Sequence, residues 1–180
     1  MTEPKPPPPD LHDWKPLVED LAGRRERALA MGGDEPVARQ RSLGKLPVRE
    51  RLELLLDPGT FVEYGLLADS MDPELTSSKG YLAADGMVAG VGEIEGRRVA
   101  VCAYDFSVLA GSMGAVGESK TARMRELALR QRIPVVWLLD SAGARIQATS
   151  GSTFAAAGAL FREQVTLSGV VPMVAAMLGH

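Results

Sequence analysis

The chain has 180 residues, 46% of them hydrophobic and 24% charged, and a formal net charge of −3. This length and composition predict one globular domain with a sizeable core, and the negative charge argues against nucleic acid or an anionic membrane surface as a partner. The apolar runs are well short of the roughly 20 residues that a membrane-spanning helix needs. Cys102 is the single cysteine of the sequence, which excludes a disulfide framework and the cysteine spacing of a zinc site.

The first part of the chain is predicted to be an arm followed by helices. Residues 1–13 are rich in proline, so we expect a disordered arm there, and because they lack a hydrophobic signal core we expect the protein in the cytoplasm. Residues 14–59 form the predicted helical segment. Helical spacing of apolar residues predicts one helix over 14–31 and a second over 48–56, opened by Pro47.

Strand patterns follow these helices. The strand candidates are residues 61–64, 87–94 and 98–104. Glu95 and Gly96 lie between the last two and predict a two-residue hairpin turn. Residues 68–84 are rich in turn-forming residues and are predicted to be a surface loop.

From Asp105 onward the pattern changes to alternating helices and strands. A glycine-rich run at 111–117 leads into a helix, and an apolar strand follows at 133–139. A further helix around 153–165 then precedes an apolar strand at 170–178. This order predicts β-α-β units with parallel strands, so the predicted fold class is α/β. Because the chain stops just after an apolar strand, we expect it to be a fragment of a longer protein.

Residues 140–147, D-S-A-G-A-R-I-Q, directly follow the apolar strand and are the most informative segment. Their small side chains allow a sharp turn from strand to helix, and such a turn leaves backbone N–H groups without intrahelical partners. These groups can hold an anion, or an oxygen that becomes negative during a reaction. The segment is therefore a candidate oxyanion hole, and an ordinary tight turn is the alternative that spacing alone leaves open.

Other catalytic constellations are not found in the sequence. His12 lies in the arm and His180 is the last residue, so a Ser-His or Cys-His nucleophile pair is not expected. No cluster of histidine, cysteine and carboxylates has metal-ligand spacing, and we expect no metal in this chain. Asp105 and Asp140 each end a predicted strand, where we expect turn capping, with acid–base catalysis as the alternative. Cys102 lies in a strand pattern and is expected to be a core thiol.

The glycines at 111, 114 and 117 do not have the spacing of a dinucleotide-binding loop, and their context is wrong for a P-loop. The remaining possibility is a mechanism built from backbone amides. Such amides can stabilise a thioester enolate while a cofactor or a substrate group moves the proton.

Four segments, taken in order, resemble the carboxyltransferase (β) subunit of biotin-dependent acyl-CoA carboxylases such as propionyl-CoA carboxylase. Residues 49–63, R-E-R-L-E-L-L-L-D-P-G-T-F-V-E, resemble that family's opening element, and residues 85–96, D-G-M-V-A-G-V-G-E-I-E-G, resemble its hairpin. Residues 104–114, Y-D-F-S-V-L-A-G-S-M-G, resemble D-F-T-V-x-G-G-S-x-G, and residues 140–147 resemble D-S-G-G-A-R-I-Q. Together the four segments make the resemblance specific over residues 45–180.

This resemblance implies a crotonase-like (ClpP/crotonase) fold of stacked β-β-α units over residues 60–180, incomplete at the C-terminus. It implies that the backbone N–H groups of Gly143 and Ala144, with Ala142 in the same turn, polarise a thioester carbonyl. It also implies that five residues contact the CoA part of the substrate: Gly111, Ser112, Gly114, Lys120 and Arg145.

The resemblance further implies biotin as the cofactor, carried on a partner domain or subunit, and an acyl-CoA thioester as the substrate. In the family, carboxybiotin provides CO2 for the α carbon of the acyl group, and the subunits associate through dimers into a hexamer. A biotin carboxylase and a biotin carboxyl carrier are the implied partners. The isolated chain is expected to be inactive. Two alternatives stay open: a decarboxylase or transcarboxylase of the same family, and a non-catalytic truncated subunit that binds CoA.

The sequence departs from the family pattern at several small residues. Ala110 and Ala142 stand where the family has glycine, and we expect both to be tolerated. Ala148 and Thr149 replace a Glu-Gly pair, and we expect this change to affect acyl-chain selectivity.

Overall fold

A computed structural model describes residues 13–146 and 158–179, and within them five strands form one mixed sheet. The strands, which follow chain order across the sheet, are β1 (Val62–Tyr64), β2 (Met87–Ile94), β3 (Arg97–Tyr104), β4 (Val135–Leu139) and β5 (Met173–Met177). β1, β2 and β3 pair antiparallel, whereas β3, β4 and β5 pair parallel. The prediction of parallel β-α-β units is therefore confirmed for the second half of the sheet.

The β2–β3 hairpin turns at Glu95 and Gly96, as the sequence predicts. Both residues have positive φ, 50° and 73°, which matches the twist of a two-residue hairpin turn. The carboxylate of Asp57 accepts hydrogen bonds from both turn amides, at 3.1 Å from Glu95 N and 2.7 Å from Gly96 N. A residue that follows the N-terminal helices thus closes the hairpin turn.

Among the described residues, two helices lie in the crossovers between the parallel strands. α5 (Ala115–Gln131) joins β3 to β4, and α6 (Ala159–Leu167) precedes β5; part of the helix predicted around 153–165 lies outside the described residues. On their side of the sheet the core contains Met87, Ala89, Cys102, Met124, Trp137 and Leu167. Cys102 is completely buried, which confirms the expected core thiol.

Three N-terminal helices precede the sheet, α1 (Lys15–Leu29), α2 (Asp34–Ser42) and α3 (Val48–Leu55), and α3 packs on the opposite face of the sheet. The core on this side contains Val48, Leu52, Val88, Val101 and Leu138. The helices predicted over 14–31 and 48–56 are confirmed, whereas α2 was not predicted. Because α2 buries only Val37 and Gln40, its sequence has little of the apolar periodicity that identifies a helix. The predicted arm lies outside the described residues, apart from Asp13.

The prediction of a surface loop over 68–84 is wrong in part. This segment contains α4 (Pro73–Lys79) and leads into a 3-10 turn at Ala83–Gly86. The Asp72 carboxylate caps α4 by accepting hydrogen bonds from Glu74 N and Leu75 N, at 3.0 and 3.1 Å. α4 has no buried residue, so capping and a following Gly80 define it rather than an apolar face. In the part of the chain that the structure describes, we find no helix that is both long and apolar enough to cross a membrane.

Candidate functional site

The candidate site lies at the carboxyl ends of β3 and β4, where ligands commonly bind in parallel sheets. The segments that leave these two strands run side by side and form a parallel bridge between Met113 and Ala144. Met113 N donates to the carbonyl oxygen of Gly143 and Met113 O accepts from Arg145 N, each at 2.9 Å. The tertiary structure therefore brings together the two motifs that the sequence analysis singled out, residues 104–114 and 140–147.

The three amides predicted to form the oxyanion hole differ in their hydrogen bonding. Ala142 N donates to the carbonyl oxygen of Ala110 at 2.9 Å, and Gly143 N donates to the side-chain hydroxyl of Ser141 at 3.0 Å. Among the described residues, the N–H of Ala144 has no acceptor. In this parallel bridge Met113 is hydrogen-bonded to Gly143 and Arg145, the two residues that flank Ala144. The N–H of Ala144 therefore points away from the 111–114 loop, towards the side on which β5 lies.

Two left-handed turns frame this site. Ala84, Asp85 and Gly86 have φ of 53°, 54° and 75°, and Leu109, Ala110 and Gly111 have φ of 45°, 53° and 63°. Residues other than glycine adopt such values at a cost of about 1–2 kcal/mol each, so the surrounding contacts must hold both turns in place. Backbone strain of this kind occurs often at functional sites, and neither turn was predicted from the sequence.

Gly111 and Gly114 have their side-chain positions occupied by neighbouring segments. A Cβ on Gly111 would lie 2.3 Å from the carbonyl oxygen of Asp140, and a Cβ on Gly114 would lie 2.3 Å from Nη1 of Arg145. Both glycines are thus required for the close packing of the loop against the corner. Whether they also contact CoA stays a prediction.

Arg145 is 8% exposed, and its guanidinium is directed into the protein. Nη1 lies 2.5 Å from Oδ1 of Asp85, Nη2 donates to the carbonyl oxygen of Ser112 at 2.8 Å, and Nε donates to the Ser112 hydroxyl at 3.2 Å. The structure therefore brings Arg145 and Ser112, two of the predicted CoA contacts, into direct contact with each other.

Asp85 is a site residue that the sequence reasoning missed. Its Oδ2 accepts hydrogen bonds from Val116 N at 3.1 Å and Gly117 N at 2.9 Å, the amides at the start of α5. The available signal is its place at the start of the 85–96 motif, which the family resemblance identifies only as a hairpin. A carboxylate before the hairpin gave no indication of its partners 31 and 32 residues later.

Lys120 lies on the face of α5 that packs against the sheet, and it is only 3% exposed. Its Nζ donates to the carbonyl oxygen of Gly65 at 3.2 Å and to that of Met87. Burial of the ammonium group lowers the pKa of Lys120 to about 8. The contact between Lys120 and the CoA phosphates stays a prediction. The ammonium group of Lys120 already donates to two backbone carbonyls.

The two strand-ending aspartates have different roles. Asp105 caps a turn by accepting hydrogen bonds from the N–H and hydroxyl of Ser107, at 3.0 and 2.5 Å, and burial raises the pKa of its carboxyl group. The same prediction is wrong for Asp140. Its buried carboxylate pairs with Arg51 at 2.7 Å and Lys45 at 3.4 Å, because α3 and the connection that precedes it place these cations at the end of β4.

The described residues contain no group of three or more histidine, cysteine, aspartate or glutamate side chains that could hold a metal ion. At the corner the structure presents backbone N–H donors beside the ion pairs of Arg145 with Asp85 and of Arg51 with Asp140. An open amide at a strand end can hold a carbonyl oxygen as negative charge develops on it.

Comparison with known proteins gives a consistent result. Residues 39–180 match the family described as the carboxyl transferase domain. The propionyl-CoA carboxylase carboxyltransferase subunit of Haloferax mediterranei is 38% identical over 162 residues, which cover 90% of this chain and 31% of the relative. The methylmalonyl-CoA carboxyltransferase 12S subunit of Propionibacterium freudenreichii subsp. shermanii is 40% identical, again with 90% and 31% covered. The chain thus spans about a third of the length of the curated relatives it matches.

Solved structures give the same relationship. A transcarboxylase 12S structure, described as a hexamer assembly with methylmalonyl-coenzyme A bound, has a TM-score of 0.83 at 40% identity. The match covers 90% of this chain and 31% of the transcarboxylase chain. A Pseudomonas malonate decarboxylase hetero-tetramer has a TM-score of 0.63 at 29% identity, with 72% and 49% covered. The transcarboxylase 12S and acyl-CoA carboxylase structures have the crotonase-like fold, which confirms the predicted fold class.

Proposed function

This chain belongs to the carboxyl transferase domain family, and we propose that it forms the N-terminal part of an acyl-CoA carboxyltransferase. The proposed reaction moves CO2 from carboxybiotin to the α carbon of an acyl-CoA thioester. Biotin, carried on a partner domain or subunit, would supply the CO2 and take up the α proton through its ring nitrogen. The residues of this chain would bind the thioester and stabilise the enolate that precedes carboxylation.

The observation that carries this proposal is the open amide of Ala144 at the end of β4. Among the described residues its N–H has no acceptor, whereas the preceding amides of Ala142 and Gly143 donate within the protein. A thioester carbonyl oxygen at this amide would gain a hydrogen bond that strengthens as the enolate forms. One such donor is worth about 3–4 kcal/mol of barrier in a measured enzyme.

We propose that Gly143 contributes through the shape of the corner rather than through its N–H. Its φ of 100° directs the chain from Ser141 to Ala144, and its amide already donates to the Ser141 hydroxyl. Ala142 has the same kind of role, because its amide is bound to Ala110. The loop at 111–114 then forms the wall beside which the CoA part of the substrate lies.

A comparison of two ligands tests this proposal. Propionyl-CoA has the thioester carbonyl, whereas free CoA lacks it, so the ratio of their dissociation constants reports the contact with the carbonyl oxygen. We expect the chain to bind propionyl-CoA more tightly, and we expect Ala144→Pro, which removes the N–H, to abolish the difference while free CoA binding persists. Ala115→Pro at the first position of α5, where proline is tolerated, is the matched control. Equal affinity of the two ligands for the unmodified chain would contradict the proposal.

A second candidate is transcarboxylation or decarboxylation within the same family. The relevant observation is the 40% identity to a methylmalonyl-CoA carboxyltransferase 12S subunit, which is as high as the identity to the carboxylase subunits. Acyl-CoA carboxylation in the native assembly should require a biotin carboxylase, a biotin carboxyl carrier and ATP. Product formation without ATP would favour the second candidate.

We also propose that the chain acts within a larger assembly. The transcarboxylase 12S is described as a hexamer, and this chain exposes apolar side chains that further protein would cover. These lie on β5 and α6, where Val174, Met177, Phe161 and Val165 are 55%, 77%, 69% and 74% exposed. Sedimentation of the native protein should therefore give a mass well above that of one chain.

A further inference from the structure

We propose that Asp85 is a positioning residue, which sets the place of the Ala144 amide through Arg145 and through the start of α5. This inference rests on the proposed function, because it concerns the same oxyanion donor. It assigns to Arg145 a role inside the protein rather than at the CoA phosphates. The three segments concerned are the left-handed turn at Ala83–Gly86, residues 112–117 and the corner at 141–145.

The Asp85 carboxylate, in a residue only 1% exposed, divides its two oxygens between two of these segments. Oδ2 accepts the amides of Val116 and Gly117 at 3.1 and 2.9 Å and so fixes the first turn of α5. Oδ1 lies 2.5 Å from Nη1 of Arg145, which is 60 residues away in sequence. One buried carboxylate thus joins the helix that begins after the glycine loop to the corner that follows β4.

Arg145 completes this arrangement through its other nitrogens. Nη2 donates to the backbone carbonyl oxygens of Asp85 at 3.2 Å and Ser112 at 2.8 Å. Arg145 N also donates to Met113 O, so the backbone and the side chain of one residue both bind the 112–113 segment. Because Ala144 directly precedes Arg145, the contacts of Arg145 are among those that fix the backbone beside the Ala144 amide.

The backbone at Asp85 indicates a functional constraint. Asp85 has a φ of 54° within a left-handed turn, a conformation that costs free energy and is kept only where the surroundings hold it. A buried ion pair is also a weak source of stability, since apolar residues of similar volume often replace such pairs without loss. A strained backbone and a buried charge at the same residue therefore indicate that the position of the Asp85 carboxylate is required.

The charge of Arg145 is already matched in the interior. A guanidinium held by a carboxylate and two backbone carbonyls has its donors directed at the protein, which is the arrangement of an orienting group. The glycine at position 114 leaves the space that this guanidinium occupies, as a Cβ there would approach both Arg145 and Asp85 within 2.5 Å. The loop is thus shaped around the ion pair.

The test compares Asp85→Asn with a matched control. Asparagine keeps one acceptor oxygen for the α5 amides and removes the charge that holds Arg145. Glu63→Gln is the control, because Glu63 forms a comparable ion pair with Arg49 at 2.7 Å, with side chains 10% and 18% exposed, away from the corner. The readout is the affinity for propionyl-CoA relative to free CoA.

We expect Asp85→Asn to reduce the preference for propionyl-CoA about five-fold, the value of one lost hydrogen bond, with the free CoA affinity unchanged. Glu63→Gln should keep the preference. A purely structural role for Asp85 would lower both affinities together, and that result would overturn the inference. Retention of the full preference in Asp85→Asn would overturn it equally.

Arg145→Lys provides an independent variant in case Asp85→Asn does not fold. Lysine keeps the charge and lacks the planar fork with which the guanidinium binds Asp85 and Ser112 together, so we expect the same loss of preference. Hydrogen exchange separates the failure of this inference from that of the proposed function. If the unmodified chain does not prefer the thioester, the proposed function fails, and faster exchange of the Arg145 amide in Asp85→Asn alone would still support the positioning role. Unchanged exchange of the Arg145 amide would overturn it.

Discussion

The carboxylate of Asp140 accepts a 2.7 Å hydrogen bond from Nη2 of Arg51, which lies 89 residues earlier in the chain. Lys45 lies 3.4 Å from the other carboxylate oxygen and 5.1 Å from the ring centroid of Phe106. The side chain of Asp140 therefore pairs with cations of the N-terminal segment, while its backbone begins the corner of the candidate site. This relationship makes the helical segment part of the support of the site.

We expect Asp140→Asn to lower the free energy of unfolding by about 3–5 kcal/mol, because it leaves Arg51 and Lys45 as buried cations without a carboxylate. Arg51→Met should cost less, since Lys45 remains to balance Asp140. Urea denaturation of both variants measures the difference. The exposed pair of Arg123 and Glu126 offers a control, as Arg123→Ala should leave the free energy of unfolding almost unchanged. A larger loss in Arg51→Met than in Asp140→Asn would contradict this account of the charges.

The two alanines that stand in place of family glycines should respond oppositely to a change to glycine. Ala110 has a φ of 53°, so Ala110→Gly relieves strain and should raise the free energy of unfolding by about 1 kcal/mol. Ala142 is not among the residues with positive φ, so Ala142→Gly should lower it by about 0.5–1 kcal/mol through the added freedom of the unfolded chain. Thermal and urea unfolding of the two variants make the comparison, and changes of the same sign would show that the φ difference does not decide stability.

Lys120 gives a prediction about pH. Its pKa in the folded protein is about 8, below the ordinary value of 10.5, so between these values the unfolded chain binds more protons than the folded one. The contribution of Lys120 to the free energy of unfolding therefore rises by about 3 kcal/mol in total as pH increases from about 8 to about 10.5. Below pH 8 this contribution is constant. The free energy of unfolding of the wild type minus that of Lys120→Met should show this rise.

Comparison with Lys120→Met is needed because other buried groups act in the opposite direction. Burial raises the pKa of Cys102 and of Tyr104 to about 12, so both remain protonated in the folded state at a pH where the unfolded chain loses these protons. Their effects are present in both proteins and cancel in the difference. A flat difference between pH 7 and pH 10.5 would mean that Lys120 titrates normally.

The buried thiol provides a measurement of global opening. Cys102 is 0% exposed and has a pKa of about 12, so a disulfide reagent such as Ellman's reagent should not react with it in the folded protein at pH 8. Reaction should begin only with unfolding in urea, with the same midpoint as the loss of circular dichroism. Ser77→Cys, on exposed α4, should react at once and shows that the reagent is active. Rapid labelling of Cys102 in the native protein would contradict its place in the core.

Several features of this protein could be predicted from the sequence because they depend on residues close together in the chain. The turn at Glu95 and Gly96, the buried strand before Asp140 and the small residues of the corner each carry a local signal. Repeated motif matches in a fixed order identified the family and hence the crotonase-like fold. α4 could not be predicted because a short exposed helix has no apolar periodicity.

The tertiary structure alone decided how the amides of the corner are hydrogen-bonded. Spacing in the sequence does not distinguish Ala142, Gly143 and Ala144, yet the first two donate to Ala110 and Ser141, and among the described residues the Ala144 amide has no acceptor. The ion pairs of Asp85 with Arg145 and of Asp140 with Arg51 join residues 60 and 89 positions apart. Such pairings follow from the packing of the sheet against its helices, and no local spacing encodes them. The sequence thus determined the family and the location of the corner, whereas long-range packing determined which of its amides are hydrogen-bonded and which charged residues lie against it.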